Sequence, residues 1–248
     1  MTNLTGKTAL VTGGSRGIGR AAALTLASAG AQVLVHYGRA EAGAEAVVAE
    51  IRRAGGRAEK VVADLFDPQG AHTLAARTRT IVGDRLDVLV ANAGISKAMS
   101  IEDTTVADFD ALFAVNVRAP YFLVQQLLPI LGSGSSVIFT SSLGARAAVP
   151  NLAAYAASKG AIATLVTQLA SALGGRGIRV NAVAPGVIDT DMSSFAKTEQ
   201  GRGFILGMQV LQRIGQPGDV GGVFAFLASD AARWITGDTI HVDGGSKL

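Results

Sequence analysis

The chain has 248 residues, 49% hydrophobic and 17% charged, a balance that excludes a disordered polymer and supplies a large core. Its formal net charge is only +3, and no Lys/Arg run or aromatic-interleaved basic stripe occurs, so nucleic acid is not an expected partner. With zero cysteines there is no disulfide framework and no cysteine-based metal site. No apolar run is long enough to span a bilayer, and Met1 to Lys7 lead into a strand without a secretory apolar stretch. The expectation is a cytoplasmic protein that uses no membrane.

Residues 8–11 read as a buried strand. They are followed by Thr12-Gly13-Gly14-Ser15-Arg16-Gly17-Ile18-Gly19 and an apolar helix to about residue 29. Glycines between a strand and a helix let the backbone approach a pyrophosphate, whose charge is met by the helix N-terminus. The spacing differs from G-x-G-x-x-G, and the loop alone also suits a plain tight turn. Its place between strand and helix favours nucleotide binding.

Residues 31–36 form the second expected strand, which leads into Tyr37-Gly38-Arg39. A site for NAD offers an acid about twenty residues past the glycines, to bind the ribose 2′-hydroxyl. No carboxylate occurs from His36 to Ala40. Arg39, with Arg16 in the glycine loop, instead suits a 2′-phosphate. Charge-assisted hydrogen bonds of that kind are worth ~1.5–3 kcal/mol, or roughly 10- to 150-fold in affinity. The expected cofactor is therefore NADP(H).

A helix over 41–54 and a strand over 58–63 come next. Asp64 ends that strand, placed either to meet an adenine amino group or to begin a turn. Asp67-Pro68 opens a further helix, with Asp as cap and Pro in the first turn. The strand 86–91 exits at Asn92-Ala93-Gly94, small enough for a ligand to come close to backbone. Thr105-Val106-Ala107-Asp108 has capping-box spacing and opens a long helix to about residue 131. Within it, Asn116 is a polar amide among apolar neighbours, and a buried Asn must be hydrogen-bonded. It either bonds local backbone or holds a water that relays protons. The alternation of strand and helix without a linker predicts a doubly wound, mostly parallel α/β sheet with helices on both faces, one domain over 1–248.

The apolar run 137–139 ends in the hydroxyls Thr140-Ser141-Ser142, and an Ala-rich helix is expected over 152–173. On that helix Tyr155 and Lys159 are four apart and share a face. Such a pair is ordinarily a half-buried ring beside a solvated amine. As chemistry, it is a phenol next to a fixed ammonium. A phenol ionises near pH ~10, and acid/base work at neutrality takes a shift of ~3 units, or ~4 kcal/mol. A cation within ~4–6 Å acts in that direction. Ser142 adds a hydroxyl able to bond a substrate oxygen from the other side.

A sixth strand over 178–184 ends at Pro185-Gly186-Val187-Ile188, and ligands of such sheets bind at the strands' carboxyl ends. The segment 189–212 reads as a flap over a pocket. Pro217-Gly218-Asp219 opens another helix, and 240–242 form a last strand before Asp243-Gly244-Gly245. The three histidines have no metal-ligand spacing.

From about residue 5 to residue 245 the chain resembles the short-chain dehydrogenase/reductase family, through motifs occurring in order. These are Thr12-Gly13 with Gly17 and Gly19, Asn92-Ala93-Gly94, Asn116, Ser142, Tyr155 with Lys159, and Pro185-Gly186. The third motif normally begins with two asparagines, and here Ala91 precedes Asn92.

The resemblance implies a Rossmann-like fold, a homotetramer and hydride transfer between nicotinamide and a carbinol or carbonyl carbon. It implies Tyr155 as general acid/base, Lys159 lowering its pKa and holding the nicotinamide ribose, and Asn116 supporting a proton-relay water. Ser142 would orient the substrate carbonyl, with Gly144, Gly186 and Val187 beside the substrate. Gly13, Ser15, Arg16, Ile18 and Gly19 would meet the pyrophosphate, Asp64 the adenine, and Asn92 the adenosine ribose. Ile188 and Thr190 would meet the carboxamide, and the implied cofactor set also holds Tyr37, Gly38, Leu65, Ala93, Gly94, Pro185 and Gly186.

By pattern the 3-oxoacyl-(acyl-carrier-protein) reductases stand near. Their basic carrier-binding residues have no counterpart in 125–133 or 170–173, so a free small or medium-sized alcohol/ketone is preferred over a carrier-bound thioester. A non-catalytic NADP(H) sensor is the alternative of another class, and such a protein would be expected to have lost Tyr155 or Lys159.

Overall fold

The computed structural model describes residues 2–246. Seven strands form one sheet: β1 (Thr8–Val11), β2 (Gln32–Tyr37), β3 (Arg57–Val62), β4 (Val88–Ala91), β5 (Ser136–Thr140), β6 (Arg179–Pro185) and β7 (Thr239–Val242). Their spatial order is β3-β2-β1-β4-β5-β6-β7, and every pairing is parallel. Parallel strands covered on both faces read as continuous apolar runs, which is why β1, β4 and β5 lack polar alternation.

The helices are α1 (Gly17–Ser28), α2 (Glu41–Arg53), α3 (Gly70–Val82), α4 (Val106–Phe113), α5 (Ala119–Leu127), α6 (Ala153–Gly174), α7 (Glu199–Met208) and α8 (Pro217–Ala228). Alternate residues of β1 to β6 feed two cores. Val11, Val33 and Val35 pack with Leu26 of α1, Val47 of α2 and Phe224 of α8. Leu10, Leu34, Leu89 and Phe139 pack with Leu74 of α3, Leu123 of α5 and Val166 of α6. Full burial of each such side chain is worth roughly 1.5–3 kcal/mol. Among the described residues no helix is long and apolar enough to cross a membrane.

Strand order reverses beside β1, which pairs with both β2 and β4. A crevice opens there at the strands' carboxyl ends, the place where doubly wound sheets bind ligands.

Three expectations are corrected in detail. The long helix from Thr105 is interrupted by a single π turn, Ala114–Arg118, between α4 and α5. Pro120 lacks the N–H that would have closed an α-helical bond to the Asn116 carbonyl, and the Ala119 N–H reaches back to Ala114 O instead. Helix α3 begins at Gly70, because Asp67 uses Oδ1 to hold the Gln69 N–H in a preceding turn. The flap is two helical pieces, a 3₁₀ segment at Asp191–Lys197 and then α7, capped by Thr198 accepting from the Gly201 N–H.

Candidate active site

The glycine loop leaves β1 and enters α1 at the reversal point. Arg16 stands at the N-cap in extended conformation with no side-chain cap, and the first turn carries no acid. The leading N–H groups of α1 thus keep their unmet donors and the helix's positive end, the features that bind a phosphate. A Cβ on Gly19 would lie 2.1 Å from Gly13 O and 2.5 Å from Asn92 Nδ2, so only glycine fits. Gly13 and Gly17 take positive φ of 63° and 55°, which glycine adopts at little cost. These features fit the diphosphate of a dinucleotide, to which the backbone N–H groups of Ser15, Gly17 and Ile18 would be offered.

Several predicted cofactor residues serve the loop itself. The Gly13 N–H is committed to His36 Nδ1 at 3.1 Å, and the Gly14 N–H to His36 O at 2.8 Å. Gly13 therefore acts through its shape, and its N–H is not offered to a phosphate. Asn92 Nδ2 donates to Thr12 O at 3.0 Å, while Thr12 Oγ1 accepts the N–H groups of Asn92 and Ala93, each at 2.9 Å. Tyr37 and Leu65 are buried in opposite cores, whereas Gly38, Arg39 and Asp64 are exposed at the surface. Asp64 accepts the Phe66 N–H with Oδ1 at 3.0 Å, the turn role foreseen as one of its two readings. Arg16 reaches Asp191 at 3.5 Å, an exposed pair of small energetic weight. Thr190 Cγ2 stands 3.3 Å from where a Gly17 Cβ would be, so the segment after β6 closes on the glycine loop.

His36 was not singled out by its sequence context. Its Nε2 donates to Ala63 O at 3.0 Å while Nδ1 accepts from Gly13, so the neutral ring bridges β2, β3 and the glycine loop. Burial pushes its pKa down to about 4. Only the full three-dimensional packing reveals this, since a histidine in a strand carries no such signal.

Ser142, Tyr155 and Lys159 converge where β5 meets α6. Ser142 Oγ accepts the Gly144 N–H at 3.1 Å, opening the 3₁₀ turn Leu143–Ala145. A Cβ on Gly144 would lie 3.6 Å from Ser142 Oγ and 3.8 Å from the Tyr155 ring, so both side chains face one spot. Lys159 Nζ donates to Thr140 O at 2.8 Å and lies 5.9 Å from the centre of the Tyr155 ring.

The expected lowering of the phenol's pKa is not found here. Burial pushes Tyr155 up, the nearby Ser142 hydroxyl pulls it partly back, and burial lowers Lys159 to about 8. Desolvation disfavours both charged forms.

Asn116 is 2% exposed. Its Oδ1 accepts the Ile95 N–H at 2.9 Å, and Nδ2 donates to Ile95 O and to Ser158 Oγ, each at 3.0 Å. Ser158 Oγ in turn donates to Tyr155 O at 2.7 Å. The side chain thus ties the β4 exit to α6, so its partners are distant in sequence and not the local backbone that was one of its two readings. The Asn116 backbone carbonyl has no α-helical donor, because the residue four ahead is Pro120. A Cβ on Gly94 would come 3.1 Å from Asn116 Oδ1 and 3.4 Å from Lys159 Nζ, which places these three groups together. Gly186 adjoins Asp243, Val187 is half-buried, Pro185 closes β6, and Ile188 is buried.

A cavity of about 440 Å³ adjoins the β6 exit, lined among others by Ile188, Val210, Leu211, Arg213 and Asp243. Neither Ser142 nor Tyr155 lines it.

Residues 13–247 match a family model described as enoyl-(acyl carrier protein) reductase. The chain is 42% identical to versicolorin reductase stcU of Emericella nidulans, over 98% of this chain and 96% of that one. It is 39% identical to an L-rhamnose 1-dehydrogenase (NAD(P)(+)) of Sphingomonas sp., again over 98% and 96%. Among solved structures, the angucycline C-6 ketoreductase LanV with bound NADP superposes with a TM-score of 0.93 at 41% identity, covering 98% of this chain and 96% of that one. The chain belongs to the short-chain dehydrogenase/reductase family.

Proposed function

We propose that this protein reduces the carbonyl of a free, medium-sized ketone with NADPH. As a member of its family it is an oxidoreductase acting on CH–OH and C=O groups with NADP(H). When bound, the dinucleotide supplies a hydride from its nicotinamide ring. The backbone of Ser15, Gly17 and Ile18 holds its diphosphate, and Arg39 holds its 2′-phosphate.

The observation that carries this reading is the convergence of Ser142 and Tyr155 on one spot, with Lys159 beside the Tyr155 ring. Burial raises the pKa of the Tyr155 phenol, and a phenol O–H suits a group that donates a proton to the oxygen of a ketone as that oxygen gains negative charge. Ser142 donates a second hydrogen bond to the same oxygen and orients it. Lys159, with a pKa of about 8, is largely charged at neutrality and adds a positive field beside Tyr155. Asn116 fixes the β4 exit against α6 and leaves its own carbonyl for a water that restores the proton through Lys159.

The substrate class is supported by the flap, where Met192, Phe195 and Phe204 are exposed. Such side chains suit an apolar or aromatic ring system, in line with relatives named for versicolorin and an angucycline. NADPH oxidation across polycyclic ketones, simple ketones, sugars and acyl thioesters tests this. Fastest turnover of sugars or thioesters would overturn the substrate class. Tyr155→Phe is expected to lower turnover ~10²–10⁴-fold with NADPH affinity retained; full activity in that variant would overturn the catalytic assignment.

A carrier-bound thioester stays as the second reading. The structure brings Arg176 to the end of α5, where it donates to Leu128 O and Leu131 O, although 125–133 hold no basic residue. A homotetramer and a cytoplasmic location complete the proposal. The exposed Val106, Phe109 and Tyr121 of α4 and α5 support self-association, and light scattering with cell fractionation tests both.

A further inference from the structure

Three segments, the loop after β5, the β6 exit and the end of the flap, meet at one carboxylate. Asp243, just past β7, is 7% exposed. Its Oδ2 accepts from an Arg146 guanidinium nitrogen at 2.5 Å, across 97 residues of sequence, and its Oδ1 accepts the Gly245 N–H at 3.0 Å.

The first segment is the loop that begins at Ser142. Ser142 Oγ caps a single 3₁₀ turn, and the Arg146 N–H closes that turn on Leu143 O at 3.0 Å. Ser142 and Arg146 are thus the two ends of one short rigid lever. The second segment is the β6 exit. The Gly186 N–H donates to Val242 O at 3.0 Å, and a Cβ there would lie 2.8 Å from Asp243 Cα. The third is the foot of the flap, where the N–H groups of Leu211 and Val210 donate to Gly244 O at 2.9 Å and Gly245 O at 3.3 Å.

A carboxylate so nearly buried is tolerated only with charged or hydrogen-bonding partners. Removing the guanidinium would leave that charge with only the Gly245 N–H as partner and free the far end of the Ser142 turn. An exposed ion pair would be energetically slight; this one is set apart by the burial of one partner and by what each partner is attached to.

We infer that Arg146 and Asp243 form a positioning pair, which fixes the Ser142 hydroxyl relative to the β6 exit and the flap and so sets how tightly the ketone is held. Neither residue touches the reacting atoms, and the cofactor loop lies outside the linkage. The inference rests on Ser142 being the substrate-facing hydroxyl.

The test compares Arg146→Met, Asp243→Asn, the double variant Arg146→Met/Asp243→Asn and Arg146→Lys. For each, kcat and KM are measured for the best ketone of the panel, with NADPH Kd from cofactor fluorescence and Tm from circular dichroism. Arg146→Met is expected to lower kcat/KM for the ketone by about 10- to 100-fold, mostly through KM, with NADPH Kd held within about twofold. The double variant should be no worse than the poorer single one, because both remove the same link. Arg146→Lys should recover most of the loss. Where Arg146→Met does not fold, Asp243→Asn against Arg146→Lys carries the same comparison.

Single losses that multiply in the double variant, an unchanged ketone KM, or a parallel loss of NADPH affinity would each overturn the pairing. Ser142→Ala separates the two readings. If it leaves turnover intact, the active-site assignment fails; if it removes turnover while Arg146→Met does nothing, only the positioning pair fails.

Discussion

Lys159 holds its ammonium 5.9 Å from the centre of the Tyr155 ring while donating to the Thr140 carbonyl at 2.8 Å. The lysine is therefore anchored by β5 and not by its helical neighbour alone. The same burial that anchors it lowers its pKa to about 8 and raises that of Tyr155. A cleft of this kind keeps the phenol's proton in place and puts the titration near neutrality on the amine.

The pH dependence of ketone reduction follows. Below about pH 8 Lys159 is charged, and above it the charge is lost, so kcat/KM should be level on the acid side and fall as pH rises through about 8. Tyr155 loses its proton only at higher pH. In Lys159→Arg the guanidinium stays charged, and any residual rate should no longer break near pH 8. A wild-type profile flat to pH 10 would refute the assignment.

His36 predicts sensitivity to acid. Its folded pKa is about 4 against 6.5 when exposed. Between those values the unfolded chain binds the proton and the folded chain does not. Stability is thus fully present above about pH 6.5 and declines as pH falls towards 4, by roughly 3 kcal/mol in total. Urea unfolding from pH 7.5 to 4.5 should show that decline, and His36→Asn should flatten it. The same variant should weaken NADPH binding, because the Gly13 N–H loses its acceptor.

Glycine substitutions should split by position. Gly19→Ala places a methyl 2.1 Å from Gly13 O, and overpacking of that kind costs about 1–3 kcal/mol. NADPH affinity should drop more than about tenfold as the loop shifts. Gly222→Ala in α8 meets nothing within 4 Å and should be neutral or stabilising by about 0.4–1 kcal/mol. Thermal melts and cofactor titrations of the two variants make the comparison.

Cofactor choice should rest on Arg39. Replacing it by Ala is expected to lower the NADPH-to-NADH efficiency ratio by roughly 10- to 150-fold, the worth of a charged hydrogen-bond set. Steady-state kinetics with both dinucleotides decide it, and an unchanged ratio would remove Arg39 from the site.

What the sequence determined by itself was whatever depends on near neighbours along the chain. Apolar runs and caps placed the strands and helices within a few residues, and helix geometry put Tyr155 and Lys159 on one face. Pro120 also carried a local signal for the break at Asn116, because a missing N–H acts on the carbonyl four residues back. Tertiary structure alone decided the rest. The bonds from His36 to Gly13, from Asn116 to Ile95 and Ser158, and from Arg146 to Asp243 join segments 21 to 97 residues apart. Such contacts depend on strand order and register, which apolar periodicity does not encode. Charge state belongs with them: a lysine beside a phenol looks like an acidifying cation in one dimension, and only the packed surroundings show that desolvation moves both groups towards neutrality.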